Sequence, residues 1–189
     1  MKGLKIGLNI VLLAIVAYLT YTLVLTVKEP IEFESQKTIR NDALISKLEK
    51  IRQSQTAFKN LYTEYASDWD TLVTVVKNDS FIVSKVIGNP DDTTVVTRTE
   101  EIRISILDSL FAGRTSSADS LPFVPNTSGI KFDLQADTIV RSGVTIPAFE
   151  ASVPYTDAYQ GLLKKYYAAK IGQAFKVGSI KEGHTNISY

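Results

Sequence analysis

The chain has 189 residues, 44% of them hydrophobic, with a formal net charge of +1, one histidine and no cysteine. The missing cysteines exclude thiol catalysis, cysteine-based metal sites and a cysteine-linked lipid anchor, and they suit a bacterial envelope protein better than a secreted eukaryotic one. The charge is local: residues 1–28 carry three lysines and no acid, which leaves 18 basic and 20 acidic residues beyond. No basic face is implied, so nucleic acid is not an expected partner.

Residues 6–27 form an uncharged stretch of twenty-two residues, with Lys2 and Lys5 before it and Lys28 after. As a helix it would be roughly 33 Å long, enough to cross a hydrocarbon core of about 30 Å. The rival reading is a cleaved signal peptide. Its apolar region would be only about 7–15 residues long, and Ile15-Val16-Ala17 offers no small-x-small cleavage site. The sequence therefore predicts an uncleaved anchor. The lysine bias predicts a cytoplasmic N-terminus. The resulting expectation is a single-pass protein of a bacterial inner membrane with its C-terminal domain in the periplasm. Asn9, Leu13, Val16 and Thr20 fall on one face of the anchor and are candidates for contact with another membrane helix. The alternative for Asn9 is a place near the headgroups.

Glu29-Pro30 predicts a break or hinge, because a residue before proline avoids the α region. A second helix is expected to follow to about residue 65. Its stripe of Leu44, Leu48, Ile51, Phe58, Tyr62 and Tyr65 is interrupted by Gln55. The stripe admits two readings: a stalk that pairs with other stalks, or one side of a helix packed on the chain's own sheet. The aromatic second half favours the sheet. Leu44, Leu48 and Ile51 are the candidates for stalk association. The expected division is 1–28 anchor, 29–50 stalk and 51–189 extracytoplasmic domain.

Ser67-Asp68-Trp69-Asp70 resembles a capping box with Ser67 as N-cap, opening a short helix over 68–77. Strands are then expected at 81–86, 93–97 and 101–107, with a turn at 88–92. The Gly/Ser/Thr-rich stretch 111–120 reads as a mobile loop. Alternation over 129–136 predicts another strand. A hairpin is expected from 138–141 through Ser142-Gly143 to 144–152, with Pro147 marking an edge or a bulge. A helix over 156–170, a strand over 175–180 and a polar tail from 182 complete the pattern. The fold class is α+β: an N-terminal transmembrane helix, a long stalk helix, then a small antiparallel-sheet domain with a C-terminal helix.

Candidate chemistry is sparse. His184 lies alone in the expected tail. Asp91-Asp92 follows Asn89-Pro90 and reads as turn chemistry, and Glu100-Glu101 would point to opposite faces of a strand. No phosphate-binding loop, nucleophile elbow or zinc spacing is present. No catalytic, metal or cofactor residue is therefore assigned.

Ile51, Arg52, Gln53, Ser54, Gln55, Thr56, Ala57 and Phe58, followed by Tyr62, Tyr65, Ser67, Trp69 and Leu72, resemble the stretch after the anchor helix in type IV pilins and type II secretion pseudopilins. Prepilins carry a processing glycine followed by a hydrophobic residue, with glutamate five positions on. Here Leu8 and Leu12 stand at that later place after Gly3 and Gly7, so prepilin processing is not expected. The same stretch resembles an uncharacterised family of single-span envelope proteins from Bacteroidota. So do Ser105-Ile106-Leu107-Asp108-Ser109-Leu110-Phe111, Val153-Pro154-Tyr155 and Phe175-Lys176-Val177-Gly178-Ser179-Ile180. The functional expectation is a non-catalytic scaffold or adaptor of an envelope assembly of the secretion or motility type. Its expected partners are the lipid bilayer, other envelope membrane proteins and further copies of itself in a homo-oligomer. The alternatives are a pseudopilin-like filament subunit, and a ligand-binding domain or enzyme with 111–120 as its lid.

Overall fold

The computed structural model describes residues 2–87 and 98–189. The turn expected at 88–92, the strand at 93–97 and the Asp91-Asp92 pair lie outside the described residues, as does the side chain of Glu100.

The first element corrects the expected break. Helix α1 runs without interruption from Lys2 to Tyr62, 61 residues with Pro30 inside it. At 1.5 Å per residue it is about 90 Å long. Proline inside a helix removes one hydrogen bond and crowds the preceding turn, at about 3 kcal/mol. Contacts on either side of the proline hold the helix in place against that cost. Lys165 pairs with Glu29, and the Tyr166 ring stacks on Phe33 at 4.9 Å.

The stalk is corrected too. Leu44, Leu48 and Ile51 are 0% exposed and share one core cluster with Phe58, Phe149, Phe175 and Val177. Leu44 and Leu48, within 29–50, thus belong to the core of the domain.

The helix ends at Thr63, whose φ of 69° is left-handed and whose N–H donates to the Lys59 carbonyl. The chain then turns back. Gln55, fully buried, clamps the return: its Nε2 donates to the Ala66 carbonyl at 2.8 Å, and its Oε1 accepts from the Ala66 N–H at 3.0 Å. Helix α2, Trp69–Asn78, follows. Its N-cap is Asp68, one residue past the expected Ser67, and the carboxylate accepts from the Thr71 N–H at 3.0 Å. That bond holds the Asp68 carboxyl below the usual carboxylate range. Trp69 packs against the core and donates from its indole to the Phe132 carbonyl at 3.0 Å.

Strands β1, Ser80–Ile87, and β2, Arg98–Ser105, make a two-stranded antiparallel ribbon. The expected strand over 101–107 stops early. Ser105 caps a short helix α3, Ile106–Phe111, by accepting from the Asp108 N–H. A second short helix, α4, covers Thr115–Asp119, so 111–120 is largely helical and not an open loop.

A four-stranded antiparallel sheet completes the domain, in the order β3-β4-β5-β6. The hairpin matches expectation: β3, Asp133–Arg141, pairs with β4, Val144–Pro154. Ser142 and Gly143 both have positive φ, as a two-residue type I′ turn requires. Pro147 lies outside the part of β4 that pairs with β5, so its missing N–H leaves no gap on that side. Strand β5, Ala174–Gly178, pairs with β4 and with β6, Ile187–Ser188. The expected polar tail therefore contains a strand. β5 and β6 pack on α1, as do α2 and α3.

The helix expected over 156–170 does not form. A single turn, α5, spans Tyr155–Ala158. Gly161 at φ +84° ends the helical path, and two 3-10 turns follow at Lys164–Tyr166 and Ala168–Lys170. The observed class is α+β: a long N-terminal apolar helix and a small antiparallel-sheet domain.

Candidate interaction surfaces

The first half of α1 is long and apolar enough to cross a membrane, and none of its most apolar window is buried. Its large side chains are exposed by between 40% at Leu25 and 71% at Leu13. An apolar surface of this extent is not left facing water in a stable protein. Asn9, Leu13, Val16 and Thr20 are all exposed, and the unbroken helix keeps them along one side. Thr20 donates its hydroxyl to the Val16 carbonyl at 2.9 Å. Thr22 and Thr26 do the same toward Leu19 and Thr22. These hydroxyls are satisfied within their own helix, which a lipid environment demands. Tyr18 and Tyr21 are exposed as well, with nothing in this chain covering them.

Glu29 sits two residues beyond this segment. Its Oε2 accepts from Lys165 and, at 3.4 Å, from the Tyr166 phenol. The Lys165 hydrogen bond, and after it the lysine charge, hold the Glu29 carboxyl below its ordinary range. The same pairing holds the Lys165 ammonium above its own. Arg40 donates to the Gln160 carbonyl at 2.7 Å, and the Tyr159 phenol donates to Asn41 Oδ1 at 2.7 Å. Burial pushes that phenol up to about 12. Together these contacts strap 158–170 along α1. Sequence reasoning missed the strap because its tyrosines and leucines repeat at helical spacing. Gly161 was the signal against a helix.

The expected stalk contacts are not available. Leu44, Leu48 and Ile51 are consumed by the chain's own core, so the helix stripe reports intramolecular packing.

A groove of about 810 Å³ runs beside the far half of α1. Arg52, Thr56 and Leu61 form one wall and Ser80, Phe81 and Ile82 the other. Its polar members are largely paired among themselves: Arg52 and Gln53 both donate to Glu49, at 2.7 and 3.0 Å. Next to it the ribbon exposes Ile82, Val83 and Ile102. The segment expected to act as a lid is fastened down. Lys50 donates to the Leu110 carbonyl at 2.9 Å, Lys47 to the Ser120 hydroxyl at 3.0 Å, and Lys77 pairs with Asp119. Ala118 and Leu121 are buried beneath it.

His184 contacts Glu182 at 2.8 Å in the turn before β6. Among the described residues no group of three or more His, Cys, Asp or Glu side chains could hold a metal ion. No family model, curated protein or solved structure matches the chain.

Proposed function

We propose that this chain is a single-span protein of a bacterial inner membrane, with its N-terminus in the cytoplasm and its domain in the periplasm. The domain serves as a non-catalytic scaffold or adaptor subunit of a larger envelope assembly. One observation carries the reading: a single helix is uncovered over its apolar first half and is the centre of a folded core over its second. Lipid or other membrane helices suit the first half, because the apolar surface leaves water and the helix satisfies its own backbone. The groove beside α1 and the exposed ribbon residues then offer partner surfaces on the same rigid body.

Photo-crosslinking in native membranes tests this. A photoreactive residue at Leu13, Leu61 or Ile82 is expected to give discrete adducts with other membrane proteins. A chain that stays monomeric and without adducts at all three positions contradicts it.

The continuity of α1 favours a second reading, a pseudopilin-like filament subunit whose apolar helices bundle with those of other copies. That reading requires processing before assembly. Mass spectrometry of the mature chain showing an intact Met1 argues against it.

A further inference from the structure

The strap comes down the helix toward the apolar segment. At its start Tyr159 and Gln160 contact Asn41 and Arg40. At its turning point Lys165 and Tyr166 contact Glu29 and Phe33. From Asn41 to Glu29 is twelve residues, about 18 Å along the axis. The chain then climbs back into β5 at Ala174. Glu29 lies only two residues, about 3 Å, past Val27. With Val27 at the edge of the hydrocarbon, the bottom of the strap falls inside the headgroup layer, which is about 5–7 Å thick on each side.

The residues there suit that layer. Leu163 is an exposed apolar side chain at the start of the first 3-10 turn. Lys164 follows it and is exposed, whereas Lys170 lies back up the strap, where it donates to the Tyr155 phenol at 3.5 Å. The nearby acids are engaged: Glu29 with Lys165, Glu32 with Lys28, and Glu34 with Lys37. Among the described residues, Lys164 makes no ion pair. A lysine beside an apolar side chain at this depth matches lipid phosphates above an acyl boundary.

We propose that the lower turn of the strap is a membrane-surface contact, with Leu163 set into the headgroup layer and Lys164 on lipid phosphates. The proposal rests on the reading of 6–27 as a span. It makes the domain a body seated on the bilayer and not one held away from it.

The absence of cysteine allows a direct test on the full chain. Single-cysteine variants Leu163→Cys, Tyr18→Cys and Val144→Cys carry a nitroxide, in vesicles of phosphatidylcholine and phosphatidylglycerol. Collision with oxygen against a water-soluble nickel chelate reads depth. Val144 is the aqueous reference: the Tyr65–Phe149 contact puts that part of β4 at the far end of α1, and the hairpin tip lies beyond it. The expected result is a deep label at 18, an aqueous label at 144, and a label at 163 several-fold less accessible to the chelate than 144. Adding Lys164→Glu should move the 163 label back toward water.

A label at 163 as accessible as 144, with 18 deep, overturns the strap contact while leaving the span intact. A water-accessible label at 18 overturns the span and the proposal with it. Protection of 163 from both relaxers marks a protein cover in place of lipid, and it too overturns the proposal. An unmoved label in the Lys164→Glu variant removes the phosphate role of that lysine.

Discussion

Gln55 shows how one side chain closes the fold. It is fully buried on a helix face that also carries Leu48, Ile51, Ser54 and Phe58, and it spends both ends of its carboxamide on the backbone of Ala66. Gln55→Leu keeps much of the volume but orphans a buried N–H and a buried C=O. Each unsatisfied group costs about 1–3 kcal/mol, so the variant should lose about 2–4 kcal/mol in denaturant unfolding of the detergent-solubilised protein. An unchanged midpoint would mean that the clamp contributes nothing. Tyr159 gives a residue-scale pH dependence. Its phenol is held protonated by burial, with a value pushed up from 10.0 to about 12. The folded state therefore keeps its proton where the unfolded chain loses it. That contribution is fully present below pH 10 and declines as pH rises toward 12. Tyr159→Phe should flatten this part of the alkaline melting profile. A profile identical to that of the parent chain would contradict the assignment. In the sequence Gln55 reads only as a flaw in a heptad seam, because its partner lies eleven residues on in a turn that no periodicity announces.

At the scale of elements, Pro30 and the strap belong together. A proline at mid-helix carries a strong local preference for a break, but packing at Glu29 and Phe33 overrides it. The proline is then a tolerated cost. Pro30→Ala should leave the fold unchanged and raise stability by about 1–3 kcal/mol, read as a higher thermal midpoint in detergent. A lower midpoint would show that the ring has a packing role of its own. The Glu29 contact also has a pH sense. Its carboxyl is held low, so the contribution is present above the ordinary glutamate range and is lost as pH falls through the folded value. Amide exchange over 163–171 should quicken in acid, and Lys165→Ala should remove that pH dependence. Exchange in the variant as pH-sensitive as in the parent would refute the link. The elements differed in legibility for physical reasons. The hairpin was readable because alternation and Ser142-Gly143 agree locally on one answer. The strap was not, because a helical spacing of aromatics is overruled by Gly161 and by tertiary contacts to α1. The strand β6 was hidden in a polar stretch too short to carry a pattern. The stripe of Leu44, Leu48 and Ile51 was visible, but periodicity does not distinguish a partner helix from the chain's own sheet.

For the whole molecule, the consequence of an unbroken α1 is mechanical. The apolar half and the core of the domain are parts of one rod, so a tilt of one is a tilt of the other. A tether with a hinge at Pro30 would let the domain sample many orientations; the rod allows few. On the proposed reading, this rigidity would let a scaffold or adaptor present the groove and ribbon at a set height above the bilayer, and a filament subunit would share it. The most direct measurement is the electron–electron dipolar distance between nitroxides at Val16→Cys and Ile39→Cys, both exposed positions, in the full chain reconstituted in vesicles. They stand twenty-three residues apart on either side of Pro30. A continuous helix predicts one narrow distribution centred at about 35 Å; a broad distribution reaching to much shorter distances would contradict it.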